Sequence, residues 1–186
     1  MKFSRKIFLL IIVLATISIP INVSATTINS SKGIYGTYTS FNHLYDAYQD
    51  AIKKGDTRKQ EELLAIGRSS LEAEMEISSD IIQPQYDPDQ MYWINQFPNY
   101  FSYGRFETRS NGITLSLGNF KSYWSSTDKI NGWNSVYAKF ASSSNWNNTN
   151  IMKEQFYCHA RLGYAAIEAE WNLEPWRTSM NPITCN

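Results

Sequence analysis

All six tryptophans of this 186-residue chain stand at or beyond position 93, at 93, 124, 133, 146, 171 and 176, whereas before residue 80 the apolar residues recur at helical spacing. Two kinds of structure must therefore follow one another along the chain. Phe41, Leu44, Tyr45, Tyr48 and Ile52 recur at three- and four-residue steps and fall on one side of a helix. Ser40 offers an N-cap oxygen, and Gly55 stands where a left-handed residue closes a helix. Thr57 with Gln60 reads as a capping-box start for a second helix, in which Leu63, Leu64, Leu71 and Met75 keep a looser period to about Ser79. Residues 40–79 are thus expected to form an antiparallel helical hairpin. One such pair buries too little to stand alone, so it must pack on the rest of the chain or on another molecule. The acidic run Glu72, Glu74, Glu76 and Asp80 reads as a solvated face.

Pro84 and Pro88 place the expected linker at residues 80–90, and an aromatic-rich domain at 91–186. Tyr103 to Thr108 and Ile113 to Leu117 alternate in polarity around Ser110-Asn111-Gly112, which predicts an antiparallel β-hairpin with a type I′ Asn-Gly turn. In that reading Ile113, Leu115 and Leu117 face the core while Thr114 and Ser116 face solvent. Trp133, Val136, Tyr137 and Phe140 share a side of a helix opened by Thr127 or Asp128. Another helix starts at Thr149, with Met152, Gln155, Phe156 and His159 at helical steps. From Tyr164 onward no period is steady, leaving strand and irregular structure both open. The expected class is α+β: a helical hairpin followed by a small mixed domain with an antiparallel β-hairpin, short helices and one disulfide.

The first 25 residues have a different character. Lys2, Arg5 and Lys6 precede an apolar stretch from Ile7 to Ile19, Pro20 breaks it, and Val23-Ser24-Ala25 supplies small residues at cleavage spacing. That is the pattern of a secretory signal peptide over 1–25, with the mature chain starting at Thr26. The apolar core is shorter than the roughly 20 residues a membrane-spanning helix requires. Residues 26–39 read as a flexible entry segment, and the expected location is extracellular, without stable membrane insertion after cleavage. Losing three of the 17 basic residues against 17 acidic ones leaves a mature charge of about −3, with the cations dispersed, which argues against nucleic acid as a partner. Cys158 and Cys185 are the only cysteines, and in an exported chain they are expected to pair. The alternative, Cys158 as a nucleophile served by His159, suffers because adjacent side chains diverge.

Chemistry-bearing motifs are sparse. His43 and His159 are the only histidines, no metal-ligand spacing or phosphate-binding loop occurs, and neither metal nor cofactor is expected. His159, Glu168 and Glu170 are the candidate catalytic groups, the two carboxylates sharing a face if their stretch is a strand. The commoner role for His159 is structural, with a hydrogen bond to a nearby backbone group. Glu174 and Arg177 suggest an ion pair supporting the Trp-rich segment. Aromatic residues make up 15% of the chain, more than a small core hides, so Trp124, Trp146 and Trp176, in polar settings, with Arg177, are the candidate binding surface.

An ordered series of motifs spans roughly residues 100 to 186: Arg109 to Leu117, Trp133 near a short helix, Gln155-Phe156-x-Cys158-His159, Trp171 to Arg177, and closing Cys185-Asn186. It resembles the secreted bacterial family catalogued as "domain of unknown function 2599". Many of that family carry Pro after the Arg of the last motif and Pro at the end, where this chain has Thr178 and Asn186. The resemblance implies export, a compact domain and a cysteine pair, and carries over no catalytic residue. Export, aromatic richness and the lack of a recognisable catalytic set weigh against an enzyme. They favour a binding protein acting at the cell envelope or on other cells, antimicrobial or toxin-like in one form, with a cell-wall glycan or secreted protein as partner. The alternatives are a small secreted hydrolase using His159 with Glu168 or Glu170, and an inhibitor or immunity-like protein docking through its helical hairpin.

Overall fold

A computed structural model describes residues 33–81, 90–119, 121, 123–162 and 170–186; the leader, most of the linker and Glu168 lie outside the described residues. Helix α1 spans Phe41–Lys54 with Ser40 Oγ accepting from the His43 amide, and Gly55 closes it in the left-handed conformation at φ 66°. Helix α2 spans Thr57–Ile81. Its cap differs from the expected box, because Asp56 Oδ1 accepts from the Lys59 amide at 2.9 Å while Gln60 reaches back to the Ala51 carbonyl at 3.3 Å. Asp is as good a cap as Thr, and the residue one position earlier takes the role.

After α3, Gln90–Gln96, and a short 3₁₀ turn at Phe97–Asn99, strand β1 (Phe101–Arg109) pairs antiparallel with β2 (Gly112–Asn119). Arg109 opposes Gly112, so Ser110 and Asn111 form the loop. Neither has positive φ. Gly112 does, at 139°, so the turn is not type I′ and the unusual backbone sits one residue later than expected. A Cβ at Gly112 would meet the Trp176 indole at 2.6 Å, which adds close approach as a second reason for glycine there.

Strand β3, Glu170–Leu173, pairs antiparallel with the other edge of β2 and completes a three-stranded sheet in the order β1-β2-β3. Leu115 opposes Leu173 and Leu117 opposes Trp171 on the core face. The other face also closes over β2. Thr114 and Ser116 are fully buried and Ile113 is exposed, the reverse of the simple alternation for these three residues. A third strand makes β2 central, and long side chains from both neighbours cover its short polar residues.

Helices α4 (Ser126–Phe140) and α5 (Thr149–Leu162) pack on the sheet's core face. Ser125 and Asp128 make a full capping box at the start of α4, placing the boundary just before the expected Thr127 or Asp128. One apolar cluster runs from Phe41, Leu44 and Leu63 of the helical hairpin to Phe156, Trp171 and Ile183. The C-terminal tail fastens the hairpin to it: Arg68 donates to the Met180 carbonyl at 2.9 Å and pairs with Glu154 at 2.6 Å, and Asn181 donates to the Tyr48 hydroxyl at 3.1 Å. A disulfide joins Cys158 to Cys185, with Cα atoms 5.4 Å apart, and holds this tail against α5. Among the described residues no helix is long and apolar enough to cross a membrane.

Candidate functional site

The sequence-derived catalytic candidates do not converge. His159 projects from α5 into the core, where its ring stacks on Trp171 with centroids 5.7 Å apart. Burial depresses its pKa to about 4, opposed in part by the Asn172 backbone, and neither ring nitrogen makes a well-formed hydrogen bond among the described residues. Trp171 and Glu170 are consecutive on a strand and point to opposite faces, so Glu170 is on the far side of the sheet from His159. There Glu170 accepts from Arg109 and the Tyr103 hydroxyl, each at 2.6 Å. Glu107 is held by Arg105, Arg109 and Ser116, and the Arg105 guanidinium keeps its carboxyl below the usual range. The two carboxylates are thus clamped by two arginines, an arrangement that neutralises charge rather than moving protons. Glu168 lies outside the described residues.

The three proposed contact tryptophans separate as well. Trp124 is only 4% exposed, packed among Tyr100, Phe101, Phe156 and Trp171, and is a core ring despite its polar sequence neighbours. Trp146 is half-buried against Trp133 and Tyr137 and donates to Thr149 Oγ1 at 2.9 Å. Trp176 alone stays open, 40% exposed, with the Arg177 guanidinium 4.8 Å from its ring and Arg177 in turn bonded to Glu174. No extended aromatic platform forms from these three.

A cleft of about 430 Å³ opens elsewhere, bounded by the chain before α1, the start of α1, the middle of α2, the start of α4 and the end of α5. At its centre Glu74 is engaged through both carboxylate oxygens, accepting from the Tyr35 hydroxyl and from Lys129 Nζ, each at 2.6 Å. Burial and the adjoining Glu74 carboxylate push the Tyr35 phenol well above its ordinary pKa, so it stays a donor. Arg161 forms another part of the wall. It lies against the Phe41 ring, 4.0 Å from the centroid, and donates to Ser70 Oγ, the Gly67 carbonyl and the Pro182 carbonyl. Burial lowers its pKa to about 10, which leaves it charged at neutral pH. Tyr123 stands at the rim, 75% exposed.

Sequence reasoning missed this cleft and placed Glu74 on a solvated face, whereas its side chain is only 9% exposed. A signal was present: Glu74 follows Gly67, Ser70 and Leu71 at helical steps, the side of α2 that is buried. Among the described residues there is no group of three His, Cys, Asp or Glu side chains able to hold a metal ion. The cleft therefore offers hydrogen bonding, charge and ring stacking.

Residues 108–185 match the family model described as "Protein of unknown function (DUF2599)", a segment that holds the β-hairpin turn, α4, α5, β3 and both cysteines. No curated protein and no solved structure matches the chain.

Proposed function

We propose that this chain is an exported, non-enzymatic binding protein that acts at the cell envelope or on other cells, and that the cleft around Glu74 and Lys129 is its ligand site. The cleft carries the reading. Its volume of about 430 Å³ suits a small molecule or the end of a larger one, and it combines aromatic walls with a few fixed polar groups, as ligand sites do. Tyr35, Glu74 and Lys129 hold one another in place before any ligand arrives, so little ordering remains to be done on binding. Tyr123 adds an exposed ring suited to stacking on a sugar or another flat group. The Cys158–Cys185 disulfide suits an oxidising setting outside the cell.

The purified chain should be retained on isolated cell envelopes, cell-wall glycans or a co-secreted protein. Tyr123→Ala, which removes an exposed ring without touching the core, should lower that retention about tenfold, the loss of one stacking contact, with an unchanged melting temperature. Retention indifferent to Tyr123→Ala, or absent from all three targets, overturns the proposal.

A further inference from the structure

The charge inventory of this cleft is lopsided. Lys129 and Arg161 bring two cations to its wall against the one carboxylate of Glu74, both of whose oxygens already accept hydrogen bonds. Arg161, 8% exposed, spends its terminal guanidinium nitrogens on the neutral oxygens of Ser70, Gly67 and Pro182, so among the described residues no carboxylate pairs with its charge. Buried charges are ordinarily paired, so a cation held this way favours an anion close by. The helix starts reinforce this. Ser40, Phe41 and Asn42 open α1 and Ser126 opens α4 beside the cleft, so the positive ends of two helix dipoles stand there against one negative end, that of α5 at Ala160 and Arg161.

From the surplus cation and the helix starts we infer that the cleft binds a small organic carboxylate, its anionic group drawn to the Lys129 and Arg161 side and its flat or apolar body resting on Tyr123. The inference rests on the cleft being the ligand site and adds the chemical class of the ligand. A neutral sugar or alcohol of the same size brings no charge to balance the second cation. A cationic ligand meets Lys129 and Arg161 in a cleft whose one carboxylate is already occupied.

Two sources of a carboxylate can be separated directly: an acylated amino acid, tested as N-acetylphenylalanine against its amide, and a sugar acid, tested as glucuronate against glucose. Titration of the full chain, followed by tryptophan fluorescence and calorimetry, should show at least one acid binding about tenfold or more tighter than its neutral partner, as expected for a desolvated ion contact. Lys129→Gln should weaken that acid about tenfold and Lys129→Arg should retain most of the affinity. If Lys129→Gln melts early, Tyr123→Ala carries the comparison and should weaken each acid. Equal binding of acid and neutral partner overturns the carboxylate inference while leaving the cleft as the site. So does binding of none of the four probes when envelope retention remains sensitive to Tyr123→Ala. Failure of retention as well brings down the parent proposal.

Discussion

His159 illustrates what burial does to a titratable residue that has no charged partner. In the unfolded chain a histidine takes up its proton near pH 6.5, but this imidazole, stacked on Trp171 inside the core, does so only near 4. Between those values the unfolded state binds more protons than the folded one, so stability is complete above about pH 6.5 and falls as pH drops toward 4. The loss between about pH 7 and about pH 5 should be about 2 kcal/mol, visible as a lower urea midpoint. His159→Phe keeps the ring on Trp171 and removes the proton site, and should flatten that dependence; an equally steep profile in the variant would assign it to other groups. At this scale the sequence was only partly legible. The sequence offered His159 a structural role with a backbone hydrogen bond; the structure instead stacks it on Trp171, and neither ring nitrogen makes a well-formed hydrogen bond among the described residues. The burial of Trp124 and Ser116 was not legible, because each is covered by residues outside its own segment: Trp171 over one, and Arg109 across the hairpin and Asn172 of β3 beside the other.

Local elements were the most legible level, since their signals lie within a few residues. Ser40 and Gly55 mark the two ends of α1, Thr149 begins α5, and the β-hairpin stands where its alternation put it. Errors gathered where local chemistry offers near-equivalent choices, as with Asp56 beside Thr57 or the position of positive φ around Asn111-Gly112. Helix α4 shows how packing overrides local preference. Gly132 lies in its middle, where alanine ordinarily stabilises a helix by about 1 kcal/mol. A Cβ there would run into the Trp124 ring and come within 3.2 Å of Phe156, both part of the close-packed core. Overpacking of this kind costs about 1–3 kcal/mol, which outweighs the gain in helix propensity, so Gly132→Ala should lower stability by up to about 2 kcal/mol. Thermal melts decide it: a raised midpoint would mean that Trp124 shifts without cost and that this contact does not fix the start of α4.

Across the whole molecule the cleft was illegible because no single segment contains it. Its wall joins residues 34–42, Glu74, 123–129 and 160–161, brought together only when the helical hairpin docks on α4 and α5. That docking depends on the last residues of the chain. Ile183 sits against Gly67 of α2, where any Cβ would come within 2.8 Å, and Arg161 ties the Pro182 carbonyl to the Gly67 carbonyl and Ser70. The disulfide pins this tail one residue before the terminus, across a sequence separation of 27, a loop whose closure contributes roughly 3 to 4 kcal/mol in the chain-entropy model. Replacing both cysteines by alanine removes the tether but leaves every hydrogen bond of the tail nominally available. The tail then loosens first, and α2 follows because Arg68 loses the Met180 carbonyl and Gly67 loses its packing against Ile183. Hydrogen exchange should therefore speed up at residues 67–71 and at the end of α5, while the β1–β2 pairing stays protected until global unfolding. With the hairpin loosened, Glu74 and Lys129 no longer hold their 2.6 Å contact, and ligand retention by the cleft should drop together with α2 protection. Retention that persists after α2 has lost protection would place the binding surface away from the hairpin, toward Trp176 and Arg177.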